Sequence, residues 1–178
     1  GQRVTLGVAG ALGDTGQTQC TDSAGAATAC AALTSHPGQD GRFGRDAQWG
    51  QKGAPAFDYL PLGGGCVQDR VTGLTWFADT LPAQTWADAT GSAAAASRCG
   101  IATGWRLPTR RELLTIVHHG TNSPAIDPSA FPGTPSAPHW SSDADASTAW
   151  TVDFADGATQ RAAKAAGHAA RPVARPVN

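Results

Sequence analysis

The sequence predicts an α+β domain: two helices, several antiparallel strands, and long loops stapled by disulfides. Three observations lead there. Two S/T-x-x-D/E helix starts stand at Thr85 and Thr109. Short alternating segments surround a strong turn at Asp156-Gly157. Four cysteines lie among 22 glycines and 12 prolines, which favour turns over long helices.

Residues 1–13 alternate apolar and small side chains around Val4-Thr5-Leu6-Gly7-Val8, as a strand-like tail would. Residues 14–178 then form one domain, a length suited to a single core. From 14 to 56 the chain reads as loop, with an imperfect Gly-x-Asp repeat between Gly38 and Gly50. So long a segment without periodicity is usually functional or cross-linked. Regular structure begins near Cys66: Val67 and Asp69, a turn at Arg70 to Gly73, then Leu74 and Trp76 read as a hairpin. Thr85 caps an Ala-rich helix expected to run to about Arg98, with Asp88 favourably placed in its first turn.

Gly104 to Leu114 is the most distinctive stretch. Trp105-Arg106-Leu107 end an extended segment, Pro108 stops it, and Thr109 with Glu112 forms a capping box. Leu113, Leu114, Ile116 and Val117 give the following helix, expected over 109–119, an apolar face, and Gly120 ends it. A Pro-studded loop covers 122–138. Trp150, Val152 and Phe154 then alternate with Thr151 and Asp153 as a half-buried strand, with a return strand at about 159–164. Two prolines restrict 171–177 to a sheet edge.

Bulk properties exclude several classes. A formal net charge of −1 provides no basic field for nucleic acid. No apolar run approaches the ~20 residues of a membrane helix. Cys20, Cys30, Cys66 and Cys99 show no zinc-ligand spacing, so two disulfides and an oxidising compartment are expected. Three pairings are open; Cys20–Cys30, closing a short loop, and Cys66–Cys99, tying a strand to a helix end, are favoured. Without a starting Met the chain reads as a mature or trimmed protein, extracellular or on the cell surface after signal-peptide removal.

Most tryptophans are expected in the core, whereas Trp49 or Trp140 could stack on a sugar. Asp143 and Asp145, with Asp153 and Asp156, cluster near the Trp140 loop, and oxygen ligands at loop positions suit calcium. His139, Trp140, Asp143, Asp145 and Trp49 are thus the candidate ligand-binding residues, with Asp143 and Asp145 as the candidate calcium pair. His118-His119 make a poor metal pair, because adjacent helical residues diverge.

The landmarks in order are Asp14 to Cys20, Gly44 to Gly50, Val67 to Trp76, Thr85 to Ala89, Gly104 to Leu113, Pro124 to Asp127 with Phe131-Pro132, Trp140 to Ser142, Ala149 to Phe154 and Ala170 to Val173. Over nearly the whole chain they resemble the bacterial domain family named for the C-terminal domain of the Legionella collagen-like adhesin. The resemblance implies a C-type lectin-like fold in an exported bacterial protein. The WRLPT segment, with Glu112 three residues beyond it, also resembles formylglycine-generating enzymes and iron-dependent relatives. The former need a reactive cysteine pair in the C-terminal part, and no cysteine follows Cys99; the latter need a histidine set that is not present. Two non-catalytic functions follow as expectations. One is recognition of a glycan or protein through the 122–147 loops and 149–164 strands. The other is a structural subunit, a homo-oligomer or filament joined by the N-terminal strand. No organic cofactor is expected.

Overall fold

The computed structural model describes residues 17, 19–33, 39 and 57–175. The strand-like tail, Trp49 and the Gly-x-Asp repeat apart from Gln39 lie outside these residues. Eleven strands occur among the described residues: β1 (Cys20–Thr21), β2 (Ala27–Thr28), β3 (Tyr59–Leu62), β4 (Cys66–Asp69), β5 (Leu74–Phe77), β6 (Leu81–Gln84), β7 (Pro138–Ala144), β8 (Thr148–Asp153), β9 (Thr159–Ala163), β10 (His168–Ala170) and β11 (Val173–Ala174). The helices are α1 (Trp86–Ala94) and α2 (Arg110–Leu114). The protein is mostly β, with two helices and two disulfides.

A five-stranded sheet has the order β6-β10-β7-β8-β9, and a four-stranded sheet the order β11-β5-β4-β3. All pairs are antiparallel except β10 with β7, which are parallel. That parallel pair arises because the chain crosses to the far side of β7 after β9. β11 does lie at a sheet edge, and its Val173 also bridges Arg106.

Both helices start where their caps stand. Thr85 accepts from the Asp88 N–H, and Thr109 and Glu112 form the complete reciprocal box. Both end sooner than periodicity predicts. α1 stops before the left-handed Cys99 (φ 55°), which lets the chain turn back so that Arg98 bridges Ile101. α2 gives way after Leu114 to i→i−3 bonds, Ile116 N–H to Leu113 O and Val117 N–H to Leu114 O. Ile116 and Val117 therefore still reach the core although the α-helix has ended, and Gly120 is not its C′ residue.

Leu113, Ile116 and Val117 pack with Val67, Trp76, Val152, Phe154 and Val173, joining α2 to both sheets. Ala89 and Ala93 of α1 pack with Trp140, Ala149 and Ala170 of the five-stranded sheet. These alanines let helix and sheet approach closely, which explains the Ala-rich composition of both partners. The disulfides pair as favoured, Cys20–Cys30 across the β1–β2 ribbon and Cys66–Cys99 from β4 to the turn beyond α1.

Arg171 is fully buried and holds three segments together. Its Nη1 donates to the carbonyls of Phe77, Ala78 and Asp79, and its Nη2 to the hydroxyls of Thr80 and Thr134. These acceptors surround the guanidinium without any carboxylate in contact, so burial pulls its pKa down to about 9. The β5–β6 connection and the loop after Phe131 are thereby tied to the approach to β11.

Candidate binding surface

The β8–β9 loop determines what the sheet presents at its far end. Asp156-Gly157 do not form a two-residue turn. The loop holds four residues, Phe154 to Gly157, closed by Gly157 N–H to Asp153 O (2.7 Å) and Asp153 N–H to Ala158 O (2.8 Å). Adding two residues to a hairpin loop moves every cross-strand pair, and Trp150 comes to lie opposite Arg161. The Arg161 guanidinium lies 5.4 Å from the Trp150 ring centroid, and that of Arg110, from α2, lies 4.2 Å from it. Trp150 is half-buried, so it presents an aromatic surface flanked by two cations.

The network continues around the β7–β8 tip. Arg161 pairs with Asp145 Oδ2 at 3.0 Å, and Lys164 Nζ donates to the Asp145 carbonyl at 2.6 Å. The same ammonium lies 4.3 Å from the ring centroid of Trp86, which is also half-buried. Trp86 Nε1–H is anchored on Ser141 O. Two indoles, three cations and two carboxylates are thus linked around the strand tip, Trp150 on the α2 face of the sheet and Trp86 on the α1 face.

The predicted site residues divide sharply. Asp143 and Asp145 belong to this network, yet they serve different partners. Asp143 Oδ2 accepts from the Arg110 N–H at 2.7 Å, fixing the start of α2. Asp145 closes its own turn by accepting from the Ser147 and Thr148 N–H groups and the Thr148 hydroxyl. Those backbone donors, with Arg161, hold its carboxyl at about 2. Among the described residues no group of three or more His, Cys, Asp or Glu side chains converges as a metal site would. In this structure the two aspartates hold a helix start and a turn.

His139 and Trp140 are corrections, since both are fully buried and cannot meet a surface ligand. Trp140 packs in the α1 cluster and donates Nε1–H to Gln84 O. His139 hydrogen-bonds the Ala137 carbonyl through Nδ1 and lies edge-on to Phe154. Burial, and then the nearby Arg171 charge, drive its pKa down to about 3, so the ring is neutral. Trp76 and Trp105 are core as expected, whereas Trp86 and Trp150 are only half-buried. Alternation places Trp150 with Val152 and Phe154; it differs because α2 contributes Arg110, not an apolar side chain, at that end of the strand. A longer loop at residues 154–157 is the one sequence signal that would have exposed the Trp150–Arg161 pair.

The fold and this surface define a mostly β, disulfide-bonded α+β domain with an aromatic and cationic edge. A family model described as the Lcl C-terminal domain matches residues 65–174, and the chain belongs to that family. The match runs from just before β4 through β11 and includes Cys66–Cys99, while β1 to β3 and Cys20–Cys30 precede it. Comparison with curated proteins finds no match.

Proposed function

We propose that this chain is an exported bacterial surface protein with a C-type lectin-like fold that binds a glycan or protein without catalysis. The reading rests on the half-buried Trp150 flanked by Arg110 and Arg161, linked through Asp145 and Lys164 to Trp86 around the strand tip. Partly exposed indoles offer apolar faces to a sugar ring or peptide side chain, and the flanking charged groups orient its polar atoms. Two disulfides fit an oxidising compartment, and family membership fits a bacterial surface protein. All four cysteines are paired, so none is a free thiol for formylglycine-type chemistry. The test is a glycan array and bacterial and host cell-surface binding with the wild type, Trp150→Ala and Arg110→Ala. Ligand capture that falls about tenfold in Trp150→Ala, an interface hot-spot loss, upholds the reading. Capture that both variants retain in full refutes this surface.

A structural role in a filament is the second reading. The edge strand β9 is exposed along most of its length and carries Thr159, Gln160 and two alanines, open to an added strand. Residues 1–13 have the alternation such a strand needs. Size-exclusion chromatography with and without those residues tests it, and identical monomers would refute it.

A further inference from the structure

A concave site shares no residue with the Trp150 surface. It is an open cleft of about 710 Å³ between β6, the 132–138 loop and β10. Pro82, Pro132, Pro135 and Pro138 form much of its wall, and the polar side chains lining it are Asp79, Thr80 and His168. Four prolines make an apolar surface that loses little conformational freedom when covered, which favours a rigid hydrocarbon body.

The floor is polarised in one direction. Thr80 and Thr134 both accept from Arg171 Nη2, but their own protons differ. Thr134 donates to the Phe131 carbonyl at 2.8 Å, whereas the Thr80 hydroxyl proton has no acceptor among the described residues. Thr80 therefore presents an O–H donor backed by a guanidinium that no carboxylate contacts, Asp79 acting on it only through space. Asp79, the one acidic lining residue, has its carboxylate engaged by Arg98 Nη1 at 2.5 Å. His168 also lines the cleft, its ring in a T-shaped contact with Trp140. Arg171 Nε also lacks a partner, so the interior behind Thr80 retains unspent donor capacity.

We propose that this cleft binds a small apolar carboxylate, with its acid group on Thr80 Oγ1–H and its hydrocarbon body against the prolines. An anion is favoured over a neutral amide because a hydroxyl polarised by a buried cation makes a charge-assisted bond to a carboxylate. An apolar body is required because acetate alone would leave the proline wall wet.

Amide NMR titration of the wild type with 4-phenylbutyrate, 4-phenylbutyramide and acetate tests this. The expected result is saturable shifts at Thr80, Gly133 and His168 with 4-phenylbutyrate, and binding about tenfold weaker for the amide, the loss of one charge-assisted bond. Acetate should produce none of these shifts. Thr80→Val should bind acid and amide alike, while Thr80→Ser keeps the preference. Equal affinity of acid and amide in the wild type, shifts confined to other residues, or no saturation would each overturn the proposal. The wild-type comparison decides the matter even if Thr80→Val fails to fold.

Discussion

Gly73 and Gly157 end two four-residue loops of the same design, and replacing each with alanine separates backbone strain from steric conflict. Gly73 N–H bonds Asp69 O at 2.8 Å, and Gly157 N–H bonds Asp153 O at 2.7 Å. Both glycines are left-handed, with φ of 73° and 84°. A β-carbon at Gly73 would meet nothing within 4 Å. At Gly157 it would lie 2.7 Å from Val117 Cγ1 and 3.1 Å from His119 Cε1. Val117 is fully buried, so it has little room to retreat. Gly73→Ala should therefore cost only the left-handed penalty, about 1 kcal/mol. Gly157→Ala should add an overpacking cost of about 1–3 kcal/mol, for a total near 3 kcal/mol. In thermal unfolding of a domain this size, those values correspond to losses of roughly 3 °C and 10 °C in Tm. Urea unfolding should show the same ranking, and Val117→Ala should partly relieve Gly157→Ala in a double-mutant cycle. Equal destabilisation by the two alanines, or strict additivity with Val117→Ala, would refute the steric argument.

Glu112→Gln should lower stability at neutral pH by about 1–2 kcal/mol, because Glu112 holds both the Thr109 N–H and the Arg106 fork. Burial raises the Glu112 pKa, but the bonds from Arg106 and Thr109 outweigh it and hold the folded value below the ordinary one. The advantage over Gln should thus be complete above the unfolded pKa and fade as pH falls through the folded one, as urea midpoints would show. The His139 pKa is depressed to about 3, so unfolded chains bind more protons as pH falls below about 6.5. His139 should therefore lower stability by at most about 1.4 kcal/mol per pH unit between those values, and its ring NMR signals should remain neutral at pH 5. Replacing Cys66 and Cys99 together by Ser should cost about 4 kcal/mol of chain-entropy stabilisation, against about 3 kcal/mol for Cys20 and Cys30, whose loop is shorter. Calorimetry of the two double variants checks the order; the reverse ranking would discredit the loop-length argument.

Elements whose signals are local were legible from the residues alone. Thr85 and Thr109 mark both helix starts because capping is decided within four residues. The Arg70–Gly73 hairpin and the favoured disulfide pairs were equally legible, as was the family, from ordered landmarks across the chain. Tertiary structure decided what depends on partners distant in sequence. β3 and β6 carry prolines that mask them as strands, and they form because β4 and β10 supply their hydrogen bonds. Trp140 and Trp150 are the same residue type ten positions apart, and only packing separates them: α1 buries the first, while Arg110 and Arg161 leave the second half-open. Arg171 reads as one charge at the chain's end, yet it meets carbonyls more than 90 residues away and shapes the region behind the cleft. Burial and electrostatic field are sums over neighbours brought together by folding, so no local window of sequence contains them.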